Sequence, residues 1–315
     1  MSRYTLFDIE SLRPYPLLQR QSKVNTRLLS KVITPHARLK DFFKSLPDIL
    51  AVRSLKAVCR HVQEARRRNR PILLLLGAHV IKCGLSPVII DLMKNGFVQG
   101  VAFNGAGAIH DFELACYGVT SEDVSKNLER GRFGMAREAC EAINRIVQDG
   151  NDEGLGYGEA VGEYLWRDKI KFRQISLFAQ AHALGIPATV HVAVGTDIVF
   201  QHKNVDGGSA GAASYRDFLI FAKLVSRLGN GGVVVNVGSA VILPEVFLKA
   251  LAMVRNVNRK VNNFVTANFD MIQHYRPTMN IVNRPTQVSG KGYSITGHHE
   301  IMIPLLAAGV RLGIK

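Results

Sequence analysis

From residue 71 onward the hydrophobic positions alternate in a regular way: a short run of aliphatic and β-branched residues ends in Gly, His or Asn, and a segment of helical periodicity follows. Runs of this kind at Pro71–Leu76, Val98–Phe103, Ala188–Ala193, Gly232–Val237 and Asn263–Ala267 predict strands. They are apolar almost throughout rather than at every second position. Such strands are buried on both faces, as in a parallel sheet between two helical layers. Helices are expected over Ser86–Asn95 with Gly96 as the stop, and over Thr120–Glu129, Gly134–Gln148, Gly158–Trp166 and Leu243–Val254. The Gly- and Asp-rich stretch Asp149–Gly158 reads as a loop. Near the C-terminus, Thr286–Val288 and Tyr293–Thr296 flank Ser289-Gly290-Lys291-Gly292, whose glycines predict a tight hairpin turn. No break divides 71–315, which reads as one domain.

Composition excludes several classes. With 315 residues, 47% of them hydrophobic and 21% charged, the chain can bury a large core. Its longest apolar runs fall far short of the roughly 20 residues of a membrane helix. Met1–Pro16 is interrupted by Arg3, Asp8, Glu10 and Arg13, so it lacks a secretory core, and a cytoplasmic protein without membrane partners is expected. Cys59, Cys83, Cys116 and Cys140 form no CxxC pair and read as reduced thiols. Of the net charge of +15, residues 1–70 carry +11, from 16 Lys+Arg against 5 Asp+Glu. This segment reads as a basic, mainly helical N-terminal extension. The run Arg66-Arg67-Arg68-Asn69-Arg70 could track phosphates, but few aromatics accompany it; a solvated helix face is the plainer reading, which argues against a nucleic-acid partner.

Open parallel sheets bind ligands beyond the carboxyl ends of their strands. The predicted ends carry His79, Asn104, His110-Asp111, His191, Asp197, His202, Ser239, Asp270 and His298-His299-Glu300. Any one of these histidines is readily structural; gathered on one edge they suggest acid–base work or hydrogen bonds to a cofactor. No HxH, HxxxH or HExxH spacing occurs, so no metal site is expected. Two glycine-bearing junctions, Asn104-Gly105-Ala106-Gly107-Ala108 and Asn236-Val237-Gly238-Ser239-Ala240, could cradle phosphate, although neither completes GxGxxG and close strand–helix packing explains them equally well.

The segments Gly77–Gly84, Asn104–Phe112, Gly195–His202, Val237–Leu248, Thr266-Ala267 and Ile303–Leu306, in this order and spacing, resemble the deoxyhypusine synthase family, and most of all its divergent deoxyhypusine synthase-like group. The resemblance runs over about residues 70–310. It implies a Rossmann-like, doubly wound, mostly parallel sheet with helices on both faces, and a homotetramer with NAD between subunits. It also implies transfer of an aminobutyl-type group from a polyamine to an amine acceptor, a protein lysine among them, through an enzyme lysine imine. Carried over by position, Ala78, His79, Asn104, Gly105, Ala106, Gly238, Ser239, Thr266, Ala267, His298 and His299 would line NAD. Asp197 and His202 would face the amine, with His110 and Asp111 beside them. The chain departs from the family pattern where His110 replaces a glutamate, where Val241–Leu243 lacks a histidine, and where no Trp but Trp166 exists. These departures imply an altered substrate.

For the imine-forming lysine the Gly290-Lys291 dipeptide points to Lys291, whereas the hairpin reading makes Lys291 an exposed turn residue. Three functions follow: an NAD-dependent alkylamine transferase, an NAD-dependent oxidoreductase or lyase that forms no lysine adduct, and a non-catalytic nucleotide- or RNA-binding protein.

Overall fold

The structure, a computed structural model, describes residues 2–167, 170–257 and 260–314. It divides into two compact units, Met1–Val52 and Arg53–Lys315. Up to residue 38 the first unit holds only one-turn 3-10 helices, Ile9–Ser11, Leu17–Gln19 and Thr26–Leu28, so the N-terminal extension is less helical than its sequence suggests. Asp8 and Asn25 each cap such a turn by accepting a backbone N–H two residues on. Helix α1 (Leu39–Ser45) follows.

The second unit starts within α2 (Leu50–Arg67), which buries Leu55, Val58, Cys59, Val62 and Ala65. Its arginine run serves the local structure: Arg66 lies 4.5 Å from the Phe97 ring centroid, and Arg68 pairs with Glu64 at 2.5 Å. Cations in the last turn also suit the negative end of the helix dipole.

Six strands, β1 (Ile72–Leu76), β2 (Gly100–Asn104), β3 (Ala188–His191), β4 (Val233–Val237), β5 (Phe264–Asp270) and β6 (Gly290–Thr296), form one sheet in the order β3-β2-β1-β4-β5-β6. Every pairing is parallel, and this is the doubly wound Rossmann-like order. Between the strands run α3 (His79–Lys82), α4 (Ser86–Lys94), α5 (Gly105–Tyr117), α6 (Val124–Glu129), α7 (Arg137–Asp152), α8 (Tyr157–Arg167), α9 (Leu177–Ala183), α10 (Gly207–Val225), α11 (Ile242–Val257), the short α12 (Tyr275–Pro277) and finally α13 (His299–Leu312). On one face, Phe221, Leu224 and Val225 of α10 and Leu243, Phe247 and Leu251 of α11 pack on Leu73, Leu75, Ala102 and Val234. Elsewhere α2 is tied to α13: Cys59 Sγ and Gln63 Nε2 donate to the carbonyls of Leu306, Gly309 and Val310.

The predicted hairpin is absent. Arg284–Thr286 is a 3-10 turn, and Lys291 lies in β6, paired in parallel with Val265. The glycines answer to a neighbouring backbone: a Cβ on Gly290 would fall 2.2 Å from the Phe264 carbonyl oxygen, and one on Gly292 would fall 2.1 Å from that of Val282. The expected loop 149–158 is also shorter, because α7 runs on to Asp152.

Candidate functional site

Between β1 and β4 successive connections leave the sheet in opposite directions, and the carboxyl edge at such a switch point is where a doubly wound sheet offers a ligand crevice. Gly77 follows β1 and Gly238 follows β4, and a Cβ on Gly77 would lie 2.1 Å from the Gly238 carbonyl oxygen. Gly238 is left-handed (φ 65°), which favours glycine, and Ser239 Oγ accepts the Leu243 N–H at the start of α11. His299, first residue of α13, is 1% exposed and stands against Gly238, its ring centroid 5.7 Å from that of His79. Its Nε2–H donates to the Phe269 carbonyl at 3.3 Å, and Asp270 Oδ1 lies 3.8 Å away. Nδ1 is therefore left as a buried acceptor without a partner among the described residues. Burial pushes the His299 imidazolium down, against the pull of Asp270. Asn236 and Asn268 stiffen this edge, with an amide–amide bond of 2.7 Å between β4 and β5 and a further bond from Asn268 to Gln273.

The second feature is a cleft of 310 Å³ beyond β2 and β3, lined by Asn104, Ala106, His110, Glu113, Asp197 and, at its rim, the exposed Lys82. Glu122, Phe133 and Thr196 also line it. Asp197 is 6% exposed and accepts the Ala193 N–H at 2.8 Å and the Ala106 N–H. Burial pushes its carboxyl up, opposed by these bonds, and it has no ion pair among the described residues. On α5, His110 and Glu113 are one turn apart and meet at Thr120: the Thr120 hydroxyl donates to Glu113 Oε2 at 2.5 Å and lies 2.6 Å from His110 Nδ1. Burial works against the Glu113 carboxylate, but the nearby His110 ring and the hydrogen bond from Thr120 outweigh it and hold its pKa below the usual value.

The Asn104–Gly107 junction is occupied from within. Asn104 Oδ1 takes the Gly107 N–H at 3.1 Å and Asp197 takes that of Ala106, so these donors do not await a phosphate. A Cβ on Gly105 would fall 2.2 Å from Asp197 Oδ2, and one on Gly107 would fall 2.9 Å from the Phe103 ring. Both glycines are thus explained by packing.

The structure therefore gathers Ala78, His79, Gly238, Ser239 and His299 at the switch point, and Asn104, Ala106, His110 and Asp197 around the cleft, with Gly105 directly behind Asp197. Other expected site residues lie elsewhere. Asp111 turns away from the cleft, is 1% exposed, and caps α9 by accepting from Ser176 Oγ (2.5 Å), Leu177 N (2.7 Å) and Phe178 N (3.3 Å). Burial pushes its carboxyl up to about 6, against those bonds. His202 is buried behind the cleft, donating from Nε2 to the Gly134 carbonyl at 2.9 Å. Thr266 and Ala267 sit in mid-strand, buried by both neighbouring strands, because β5 continues to Asp270. His298 is exposed. Lys291 is exposed at the start of edge strand β6, within electrostatic reach of His61 on α2 and five residues, roughly 17 Å, from the carboxyl end. Sequence reasoning missed Lys82, Glu113, Thr120 and Glu122. The i,i+3 spacing of His110 and Glu113 was a usable signal; nothing local marked Thr120.

Among the described residues no group of three His, Cys, Asp or Glu side chains could hold a metal ion, and no helix is long and apolar enough to cross a membrane.

Residues 56–159 match a family model described as arginine dihydrolase ArgZ-like, C-terminal, Rossmann fold. Over 102 residues the chain is 29% identical to an ornithine cyclodeaminase of Methanothermobacter thermautotrophicus, which covers 32% of this chain and 24% of that protein. The chain thus spans about a quarter of the length of that curated relative. Among solved structures, AgrE in a ternary complex with ornithine and NAD+ is similar with a TM-score of 0.53 and 12% identity, over 84% of this chain and 34% of that one. A protein from Entamoeba histolytica described as a deoxyhypusine synthase by resemblance is similar with a TM-score of 0.50 and 10% identity, over 89% and 95%. At such identities these likenesses speak to the fold. The deoxyhypusine synthase resemblance finds a partner of the same fold, while the family model that matches is a different one.

Proposed function

We propose that this chain is an NAD-dependent enzyme that oxidises the amine-bearing carbon of a small cationic amine held in the cleft. The observation that carries the reading is Asp197: a buried carboxylate with no countercharge, on a cleft whose other acids are Glu113 and Glu122. An ammonium group would supply the missing charge and relieve the burial that now disfavours the ionised acid. The wider comparisons agree, since an ornithine cyclodeaminase and an ornithine-bound AgrE both handle a diamino acid. Lys82 at the rim would meet a substrate carboxylate, so we take ornithine or a close analogue as the substrate class.

The crevice residues fit NAD. His299 Nδ1 is a buried acceptor lacking a donor, and the Gly238 backbone and the His79 ring stand beside it. These residues would hold NAD, which when bound supplies a hydride acceptor. Asp197 would bind and orient the ammonium. His110 would take a proton from it at Nε2, the ring nitrogen not engaged by Thr120. The test is NADH absorbance on adding ornithine, arginine or spermidine to protein with NAD. A saturable rise with a dibasic amine supports the reading, and no rise with any of them refutes it.

The alkylamine transferase reading, from a polyamine-like donor to an amine or protein-lysine acceptor, needs a nucleophilic lysine at the cleft, and Lys82 lines it. Borohydride trapping with spermidine and NAD would then label Lys82. Assembly belongs to the same reading. Exposed Val241, Met271, Ile272 and Ile301 follow the strand ends beside the crevice, and a homotetramer would cover them. A light-scattering mass near four times the 34.7 kDa of one chain is expected.

A further inference from the structure

The 119–133 stretch between α5 and α7 lies outside the core. Its helix α6 buries no residue, and both ends turn through glycines in the left-handed region, Gly118 (φ 73°) and Gly134 (φ 73°). It nevertheless forms a wall of the cleft through Ser121, Glu122, Val124 and Phe133. Its far end is fastened at Gly134, whose carbonyl accepts from His202, while the Gly134 N–H donates back to Glu122 within the stretch. Its near end is fastened at Thr120.

At Thr120 the geometry fixes the direction of each bond. Glu113 Oε2 can only accept from a hydroxyl 2.5 Å away, so the Thr120 proton points to Glu113. The Thr120 oxygen must then accept from His110, which places a proton on Nδ1, 2.6 Å away. His110 and Glu113 are themselves 3.6 Å apart, too far for a direct hydrogen bond. The hydroxyl is therefore the link between them.

We infer that Thr120 is a positioning residue that holds His110 in the tautomer with a free Nε2, and that it does so only while the 119–133 flap lies against α5. This rests on the amine-oxidising reading of the cleft. In the step itself the ammonium N–H bond breaks and an Nε2–H bond forms. The positive charge passes from the amine to the imidazolium, and Glu113 stabilises that charge through the Thr120 hydroxyl. With the flap lifted, the hydroxyl leaves, both tautomers are populated, and the imidazolium loses its connection to Glu113. Proton transfer is thereby confined to the covered cleft, where water competes least.

The experiment compares Thr120→Val, which keeps the shape and removes the hydroxyl, with Thr120→Ser, which keeps the hydroxyl. Nitrogen NMR of histidine-labelled protein with NAD present should show His110 protonated at Nδ1 in wild type and Thr120→Ser, and mixed or shifted to Nε2 in Thr120→Val. With ornithine, kcat should fall roughly 10- to 100-fold in Thr120→Val at near-constant KM and recover in Thr120→Ser. An unchanged tautomer in Thr120→Val, or equal kcat in all three proteins, overturns the inference. If wild type turns over no amine, the functional reading fails, yet the tautomer comparison still decides whether Thr120 sets His110.

Discussion

Replacing Gly105 by alanine sets two opposed effects against each other. Gly105 is the first residue of α5, where helix propensity alone would favour alanine by up to about 1 kcal/mol. The new Cβ, however, would fall 2.2 Å from Asp197 Oδ2 and 2.4 Å from its Cγ, so the carboxylate must move. Moving it strips the half-buried N–H groups of Ala193 and Ala106 of their acceptor, at a cost of up to about 1–3 kcal/mol each. The balance is a net destabilisation of about 2–4 kcal/mol, or a Tm fall of roughly 5–10 °C for a domain of this size. The displaced carboxylate also no longer meets an ammonium, and the loss of a buried charge partner should raise KM for the amine by roughly 30-fold or more. Calorimetric melting and steady-state kinetics of the two proteins check both parts. A Tm at or above wild type would show that Gly105 is not held by Asp197, and an unchanged KM would remove Asp197 from the site.

Three other outcomes follow from the geometry. Lys291→Ala should leave amine oxidation unchanged and no borohydride-trapped adduct should appear at Lys291, as peptide mass spectrometry can read. Asp111→Ala should lower stability by about 2–4 kcal/mol, since three buried donors at the start of α9 lose their acceptor, while Asp111→Asn costs less; denaturant titration distinguishes them. Asp217, fully buried with Oδ2 accepting from Gly158 N and Val190 N, has its carboxyl pushed up to about 7 by burial, against those bonds. The folded value lies above the unfolded one, so the native chain binds more protons in between. This stabilisation is present below the ordinary value of 3.8 and is lost as pH rises toward about 7. Wild type should therefore lose more stability than Asp217→Asn between those limits, by a few kcal/mol in paired denaturation curves.

The layered architecture was legible because strands buried on both faces are written as unbroken apolar runs; five of the six stand where those runs lie. Of β6 only Tyr293–Thr296 was legible, and as a hairpin arm, since an exposed edge strand carries no such run and its Gly290-Lys291-Gly292 resembles a turn. Those glycines are instead required by carbonyl oxygens of Phe264 and Val282, which no sequence pattern reveals. The same reason left the reading of Gly105 and Gly107 open between phosphate and packing: a glycine needed beside a carboxylate or a ring looks like one needed beside a phosphate. For the polar residues, the carboxyl-edge rule located Asp197 and His110 but could not separate His110 from its neighbour Asp111. Adjacent residues on a helix point about 100° apart, so one lines the cleft and the other caps α9. Thr120 was invisible because its role depends on how the 119–133 stretch folds back on α5.

If Asp197 holds a cationic amine beside an NAD site, a calorimetric comparison of two proteins will separate the two binding events. NAD should be titrated into wild type and Asp197→Asn, and ornithine then titrated into each NAD-loaded protein. Equal NAD affinity is expected in both proteins, with amine binding weakened at least roughly 30-fold in Asp197→Asn. Absence of NAD binding by wild type, or equal ornithine affinity in the two proteins, would contradict it.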